Sequence, residues 1–348
     1  MPKKDFYIKE SELDQYQMQL LLKTLDESMV VSGCAGSGKS VIALHKAKQI
    51  QNEKGTDYQI VVFTKSLCKY MNSGKEELGL NNEFNYLYNW VKNGHPSSDF
   101  VIVDEIQDFT KEEIELIKGA TKKHFFFFGD TAQSIYDGLK NTQDIIDIAS
   151  EAKLLPFQLY FNYRLPKPIA KITENYIGVG TKYNEGTYKS SENNMPRIIK
   201  YANYDEQLKA VAKIIKRKKL DDVGIFFPHN DQVKEASLKL TSLGINNEVR
   251  YNLPGDWKDT LNFSSSNPKL MTYHSAKGLQ FETVFLPNCN IENNGKGFSK
   301  QKSLYVAMTR AYKDLYILHD GNLSPFFKPV PPSLYKTTEY DKIKITDI

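Results

Sequence analysis

Short apolar runs alternate with helix-length amphipathic segments along the first 150 residues. Polar residues or glycine bound each run, as is typical of strands buried in a parallel sheet. The runs are Met29–Val31, Ile60–Phe63, Phe100–Val103 and Phe125–Phe128. Between them, Val41–Gln51 and Glu112–Lys118 place apolar residues three and four positions apart and predict crossover helices. This alternation predicts a doubly wound α/β lobe.

The same alternation begins again after a loop at Gly178–Pro196 that is rich in Gly, Asn, Ser and Lys. Asp205–Lys219 predicts an amphipathic helix. The apolar runs of this half are Ile198–Tyr201, Gly224–Phe227, Leu270–Tyr273, Thr283–Leu286 and Leu315–Leu318. We therefore predict an N-terminal lobe over residues 1–158, a second α/β lobe over 159–320 and a C-terminal tail over 321–348.

Composition narrows the class of protein only a little. The 348 residues include 46 Lys and Arg against 42 Asp and Glu, a balance that permits a polyanionic partner without requiring one. The three cysteines lie far apart and indicate neither a disulfide framework nor a zinc site. With no secretion signal and no apolar run of membrane-spanning length, we expect a cytoplasmic protein without a membrane partner.

The sharpest chemical signal is the octapeptide from Gly33 to Ser40, which fits G-x-x-x-x-G-K-[ST] between a predicted strand and a predicted helix. Its glycines allow backbone N–H groups to wrap phosphates, and the helix N-terminus adds partial positive charge. Lys39 is expected to reach the β and γ phosphates and Ser40 to hold Mg²⁺. The predicted nucleotide-binding residues here are Gly33, Gly36, Ser37, Gly38, Lys39 and Ser40.

A phosphate loop needs an acid for the metal and a group that orients the attacking water. Asp104 and Glu105 follow the apolar run Phe100–Val103 directly. We predict that Asp104 helps to hold Mg²⁺ and that Glu105 acts as a general base. The alternative is that both acids simply favour a helix N-terminus.

From this point the sequence resembles superfamily 1 helicases of the UvrD, Rep and PcrA kind. The segment DEIQD is similar to their D-E-x-Q-D motif, and GDTAQSIY is similar to their G-D-x-x-Q-S-I-Y motif. Further matches are NYR, TYHSAKGLQF, which is similar to their T-x-H-x-A-K-G-L-E-F motif, and YVAMTRA, which is similar to their Y-V-A-x-T-R-A motif. These segments are Asp104–Asp108, Gly129–Tyr136, Asn162–Arg164, Thr272–Phe281 and Tyr305–Ala311.

The resemblance implies two RecA-like, doubly wound parallel-sheet lobes of a P-loop NTPase, with ATP in the cleft between them. It implies that Gln17 reads adenine, although Gln15 and Gln19 are close competitors, and that Tyr163 stacks on the base. It implies that Arg164 and Arg310 reach the γ-phosphate from the second lobe as catalytic residues.

Further residues receive roles from the same resemblance. Gln133 is expected to couple the nucleotide state to the nucleic-acid track, and Gly278 is expected to contact the nucleotide. Gln280 stands where the family has a glutamate that contacts the nucleotide sugar, which puts sugar or base selectivity in question. The residues expected to contact single-stranded nucleic acid are Thr64, Tyr136, Thr272 and His274.

The function implied is an ATP- and Mg²⁺-dependent helicase or translocase that moves 3′ to 5′ along single-stranded DNA. Only about thirty residues separate Tyr70 from Phe100, and about forty separate His229 from Leu270, where larger members insert accessory domains. The alternatives are therefore an ATP-switched subunit of a nuclease or other nucleic-acid-processing complex, and an RNA-directed motor.

Overall fold

The computed structural model divides into two units, one ending at Arg164 and the other beginning at Leu165. It describes residues 8–130, 133–134, 141–178, 182–290 and 300–339. Each unit is built on a sheet of parallel strands with helices connecting them. The predicted α/β fold class, with parallel-sheet lobes of the P-loop NTPase type, is confirmed.

The first unit contains a six-stranded sheet in the order β3-β2-β4-β5-β1-β6, and every neighbouring pair is parallel. Its strands are β1 (Met29–Gly33), β2 (Tyr58–Val62), β3 (Phe84–Tyr86), β4 (Ser98–Asp104), β5 (Thr121–Gly129) and β6 (Phe157–Leu159). Its helices are α1 (Gln15–Leu21), α2 (Lys39–Lys54), α3 (Lys65–Ser73), α4 (Lys75–Leu78), α5 (Leu87–Lys92), α6 (Lys111–Ala120) and α7 (Ile145–Glu151). Short 3₁₀ turns occupy Glu10–Glu12 and Ile106–Asp108.

The central strands of this sheet are apolar on both faces. Phe126, Phe127 and Phe128 on β5 are all fully buried, although successive side chains of a strand point to opposite faces. Helices therefore cover both sides of the sheet, as βαβ crossovers require. The run of four phenylalanines predicted as a buried strand is part of this core.

The second unit contains an eight-stranded sheet in the order β10-β9-β11-β8-β12-β13-β7-β14. All neighbours are parallel except the β9–β10 hairpin. The strands are β7 (Arg197–Lys200), β8 (Val223–Phe227), β9 (Glu248–Leu253), β10 (Asp256–Asp259), β11 (Lys269–Thr272), β12 (Phe281–Leu286), β13 (Ala311–His319) and β14 (Lys336–Glu339). The helices are α8 (Lys167–Ile172), followed by a π-helical turn at Thr173–Ile177, α9 (Tyr204–Lys218), α10 (Asn230–Ser242) and α11 (Lys300–Met308). Short 3₁₀ turns occupy Glu185–Thr187, Pro325–Phe327 and Pro332–Leu334.

The chain near the predicted boundary belongs to the first unit. Strand β6, which spans the predicted boundary between residues 158 and 159, pairs with β1 through Val31 and Phe157. Arg164 is grouped with the first unit, whereas we had predicted it in the second lobe. At the other end of the chain, part of the predicted tail forms β14, which extends the second sheet beside β7.

Among the helices of the described ranges, none combines the length and the apolar character that a membrane crossing needs.

Gly224 on β8 provides a test of how tightly the second sheet is packed. A Cβ atom at this position would come within 2.9 Å of the Phe281 ring and would also meet the ring of Phe226. We expect Gly224→Ala to lower the free energy of unfolding by about 1–3 kcal/mol, because overpacking forces neighbouring side chains out of place. Urea denaturation monitors the change. Gly321→Ala, where an added Cβ meets nothing within 4 Å, is the matched control; equal effects of the two substitutions would contradict this description of the core.

Candidate active site

The predicted phosphate loop links the end of β1 to the beginning of α2 in the first unit. Gly36 and Gly38 have φ angles of 80° and 88°, a left-handed conformation that only glycine adopts readily. Space gives a second reason for glycine, since a Cβ on Gly36 would come within 2.6 Å of Asn162 Oδ1. The loop therefore turns sharply at two glycines and delivers the chain into α2.

The ammonium group of Lys39 lies inside this turn. Its Nζ atom donates hydrogen bonds to the carbonyl oxygens of Gly33, at 2.7 Å, and of Cys34, at 3.0 Å. The residue is 7% exposed, so its charge is concentrated within the loop. The adjacent Ser37 is 1% exposed, and its Oγ has no hydrogen-bond partner among the described residues. A buried cation and an unused hydroxyl in a glycine-rich turn suit an anionic oxygen-rich ligand.

Ser40, at the start of α2, meets Asp104, the last residue of β4, at the carboxyl edge of the sheet. The Ser40 hydroxyl donates to Asp104 Oδ2 at 2.5 Å, joining the start of α2 to the end of β4. Burial first, and then the neighbouring Glu105 carboxylate, raise the pKa of Asp104 to about 6, while Ser40 and Lys39 oppose the rise. A hydroxyl and a carboxylate are oxygen ligands of the kind that Mg²⁺ prefers. The two residues therefore fit the metal that we predicted for this loop.

Glu105 adopts a left-handed backbone conformation with φ of 60° and ψ of 40°. This is uncommon for a residue with a side chain and is often found where function fixes the backbone. Glu105 is 6% exposed, and its Oε2 accepts a hydrogen bond from Gln107 Nε2 at 2.6 Å. The carboxylate is held in one direction beside Asp104.

A chain of hydrogen bonds continues from Glu105 to the segment after β5. Gln107, which is fully buried, accepts from the backbone N–H of Asp130 at 2.9 Å through Oε1. Asp130 Oδ2 in turn accepts from Gln133 Nε2 at 2.7 Å. The predicted general base and the predicted coupling glutamine are thus connected through Gln107 and Asp130.

The predicted adenine-reading residue, Gln17, lies against the phosphate loop. Its Nε2 donates to the carbonyl oxygen of Ser37 at 3.1 Å, and a Cβ on Gly38 would collide with the same nitrogen. Gln17 is 5% exposed and belongs to the first turn of α1. Within the described residues, the alternatives Gln15 and Gln19 form no hydrogen bond to the loop.

The segment from Asn162 to Arg164 packs on the outer side of the loop. Asn162 Nδ2 donates to the carbonyl oxygen of Ala35, and the backbone N–H of Tyr163 donates to that of Gly36 at 3.0 Å. Arg164 lies beside the loop as well, with its Cβ within 2.8 Å of a Cβ built on Gly36. The resemblance implied that Arg164 approaches the phosphates from the second lobe, whereas here Arg164 belongs to the first unit.

Tyr163 carries a partly exposed ring next to this segment. Its side chain is 38% exposed, and its hydroxyl donates to Asp14 Oδ2. Burial and the Asp14 carboxylate raise the pKa of Tyr163, so the hydroxyl keeps its proton and remains a donor. An exposed aromatic face beside a phosphate loop suits a stacked nucleobase.

In the second unit, Thr272 ends β11, and His274 and Gly278 lie in the turn that follows it. The Thr272 hydroxyl bonds Ser275 Oγ at 3.1 Å, and Gly278 has a φ of 81°. Burial first, and then the positive charge of Lys277, lower the pKa of His274 to about 4. The imidazole is therefore neutral near pH 7. Gln280 is half-buried at the end of the same turn.

Arg310 is almost completely buried, at 1% exposure. Its guanidinium donates to the carbonyl oxygens of Val306, at 2.9 Å, and Leu279, at 3.3 Å, and to Thr309 Oγ1 at 2.9 Å. These contacts join the end of α11 to the turn after β11. Arg310 therefore also has a structural role within the second unit.

Thr64 and Tyr136 are two of the predicted nucleic-acid contacts, and the structure describes only Thr64. Thr64 is 6% exposed, and its hydroxyl caps α3 by accepting from the backbone N–H of Leu67 at 3.1 Å. Thr64 therefore stabilises the start of α3, and its nucleic-acid role stays a prediction. Tyr136 lies outside the described residues.

Asp14, Gln107 and Asn162 contact the candidate site although no role was predicted for them. Gln107 and Asn162 stand inside motifs that were recognised, so their position was a usable signal. Asp14 precedes the helical segment that carries Gln17, and Asp is a favoured N-cap residue. That preference predicts a helix start, but it does not predict the bond to Tyr163.

Comparison with known proteins gives a consistent result. The family model described as the viral superfamily 1 RNA helicase core domain matches residues 29–319. A probable DNA helicase II homolog of Rickettsia conorii is 30% identical over 156 residues, which are 41% of this chain and 20% of that protein. The RecB subunit of the RecBCD enzyme of Chlamydia pneumoniae is 34% identical over 101 residues, 26% of this chain and 9% of that one.

Among solved structures, the arterivirus nonstructural protein 10 helicase is similar at 14% identity and a TM-score of 0.47. The similarity covers 92% of this chain and 64% of that chain. The Rickettsia relative is much longer than the matched region, since the match spans about one-fifth of its length.

His274 generates a prediction about stability and pH. Its pKa is about 4 in the folded protein and about 6.5 in an unfolded chain. The unfolded state therefore binds the additional proton first as the pH falls, and stability is lost between about pH 6.5 and pH 4. By pH 5 the loss is expected to reach up to about 2 kcal/mol. Chemical denaturation at pH 7 and pH 5 should show this loss in the wild type and a smaller one in His274→Gln.

His95→Gln, which alters an exposed imidazole in the first unit, is the control and should keep the wild-type dependence on pH. The assignment is contradicted if His274→Gln and the wild type lose the same free energy of unfolding between the two pH values.

Proposed function

The chain belongs to the viral superfamily 1 RNA helicase core domain family, and from this membership we propose that it is an ATP-dependent motor on single-stranded DNA. The observation that carries the proposal is the bond between Ser40 and Asp104 beside the buried Lys39. It supports a nucleoside triphosphate site in which Asp104, at the end of β4, meets Ser40 and the phosphate-binding Lys39 at the start of α2. We further propose UvrD-like movement from 3′ to 5′ and action in the cytoplasm.

Residues of the first unit would hold the phosphates, the metal ion and the base of the nucleotide. Lys39 and the backbone of the loop would bind the phosphates, while Ser40 and Asp104 would hold Mg²⁺. Bound there, the metal ion would neutralise negative charge on the phosphate oxygens. Gln17 and Tyr163 would contact the base, and Gly278 and Gln280 are proposed as further nucleotide contacts.

Hydrolysis is proposed to use Glu105 as general base toward the attacking water. Its fixed direction supports this role, because a base must lie within hydrogen-bonding reach of the proton that it takes. Arg164 and Arg310 would stabilise the charge of the transferring phosphoryl group. Gln133, connected to Glu105 through Gln107 and Asp130, is proposed to couple hydrolysis to nucleic-acid binding.

Single-stranded DNA is the proposed track, contacted by Thr64, Tyr136, Thr272 and His274. The DNA helicase II homolog supports DNA over RNA, whereas the family description names RNA helicases. The ATP-driven cycle would tighten and loosen the grip on the strand, so that each hydrolysis step advances the motor.

A second candidate function is an ATP-switched subunit of a larger nucleic-acid-processing complex. The similarity to a RecBCD subunit favours this candidate. In that case, a nuclease or another protein partner would be needed before nucleic acid stimulates ATP turnover.

The proposal predicts that single-stranded DNA raises the ATPase rate of the isolated chain. Steady-state ATP turnover should be measured in parallel with single-stranded DNA, duplex DNA and single-stranded RNA. We expect at least a tenfold stimulation by single-stranded DNA and a smaller one by the other two. Stronger stimulation by RNA would reassign the track, and turnover that no polymer stimulates would favour the subunit function over the motor.

The roles of Lys39 and Glu105 are separable. We expect Glu105→Gln to lower kcat by about 10²- to 10⁴-fold, the usual contribution of a general base, while ATP affinity changes little. Lys39→Ala should instead weaken ATP binding, because a charged phosphate contact is lost. Isothermal titration calorimetry and steady-state turnover give the two quantities.

Glu115→Gln changes a surface carboxylate that pairs with Lys118 on α6 and is the control for charge removal. Turnover near the wild-type rate in Glu105→Gln would refute the assignment of the general base.

A further inference from the structure

The contacts around Asp14 suggest a role that reaches beyond its own helix. Asp14 Oδ1 caps α1 by accepting from the backbone N–H groups of Tyr16, at 2.6 Å, and Gln17, at 2.8 Å. Its second oxygen, Oδ2, accepts from the Tyr163 hydroxyl, which is 149 residues away in sequence. One carboxylate therefore contacts the residues on both sides of the proposed base site.

The amide of Gln17 is fixed in one orientation by its neighbours. Its Oε1 accepts from the backbone N–H of Asp14 at 3.0 Å, and its Nε2 donates to the Ser37 carbonyl oxygen at 3.1 Å. Because each end of the amide has a partner of fixed polarity, the amide cannot exchange its oxygen and nitrogen positions without losing both bonds. The start of α1, which Asp14 caps, determines this orientation.

Tyr163 is fixed from two directions. Its backbone N–H bonds the Gly36 carbonyl oxygen at 3.0 Å, and its hydroxyl bonds Asp14. The first bond attaches the residue to the phosphate loop, and the second sets where the ring points. Loop, Tyr163, Asp14 and Gln17 thus form a closed ring of hydrogen bonds that returns to the loop at Ser37.

We propose that Asp14 is a positioning residue that selects adenine over guanine by holding Gln17 and Tyr163 in register. This inference rests on the proposed nucleotide function. An amide pairs with adenine because adenine offers an acceptor at N7 beside a donor at N6, whereas guanine offers acceptors at both N7 and O6. The pairing is selective only if the amide and the stacked base keep a fixed relation, which the Asp14–Tyr163 bond provides.

The test separates the bond to Tyr163 from helix capping. Asp14→Ser keeps a capping hydroxyl but is too short to serve both α1 and Tyr163, and Tyr163→Phe keeps the ring but removes the hydroxyl. Equilibrium affinities for ATP and GTP are measured by calorimetry on both single variants, the double variant and the wild type. Thermal unfolding of each variant checks that it folds.

We expect the wild type to bind ATP at least tenfold more tightly than GTP. Each single variant should lose about five- to tenfold in ATP affinity and change within twofold for GTP. The double variant should match the single variants within twofold, because residues in one contact have non-additive effects. Asp144→Ser, the same substitution at the N-cap of α7, is the matched control and should leave both affinities unchanged.

Equal losses for ATP and GTP, or losses that multiply in the double variant, would overturn the inference while leaving a nucleotide site in place. A wild type that binds neither nucleotide would instead refute the proposed function itself.

Discussion

The hydrogen bond between Ser40 and Asp104 is the contact on which the rest of the site depends. The two residues are 64 positions apart in the chain, and β5 lies between their strands in the sheet. They meet only because parallel strands end at one common edge, where the residues that follow them converge. Burying the Asp104 carboxylate has an electrostatic cost, and the Ser40 hydroxyl and the Lys39 ammonium offset part of it. The strand order of the sheet therefore determines whether Ser40 and Asp104 can meet beside the loop.

Two sets of hydrogen bonds extend outward from this contact in the first unit. On one side, Gln107 connects Glu105 to Asp130. On the other side, Asn162 and Tyr163 attach the end of β6 to the carbonyl groups of the loop. Both sets use side-chain amides or backbone groups, in which each donor and each acceptor points in a fixed direction. The Asn162–Tyr163 segment therefore holds the loop directly, whereas Gln107 holds Glu105 in place beside Asp104.

The sequence predicted those features that depend on local pattern. The central strands were found because buried parallel strands are continuous apolar runs. The loop was found because Gly33–Ser40 fits G-x-x-x-x-G-K-[ST] between a predicted strand and a predicted helix. Strands β3, β6, β9, β10 and β14 were missed, since most are short edge strands whose pairing is decided by tertiary context. Arg164 was expected in the second lobe from the family resemblance, whereas the structure groups it with the first unit.

The candidate site likewise combines residues that local motifs predict with contacts that no local pattern predicts. Lys39, Ser40 and Asp104 were predicted as a set, and the structure brings them together. The bond between Asp14 and Tyr163 had no local signal, because it joins two segments that no motif connects. Motif recognition identifies residue types at fixed spacing, whereas long-range polar contacts become visible only after the chain has folded.

The left-handed backbone at Glu105 has a consequence for how this sequence can change. Such a conformation costs a residue with a Cβ atom of order 1 kcal/mol, and glycine would relieve that cost. Selection for thermal tolerance alone would thus favour losing the carboxylate at this position. Because Glu105 is the proposed general base, laboratory evolution of a more stable variant would need to hold position 105 constant.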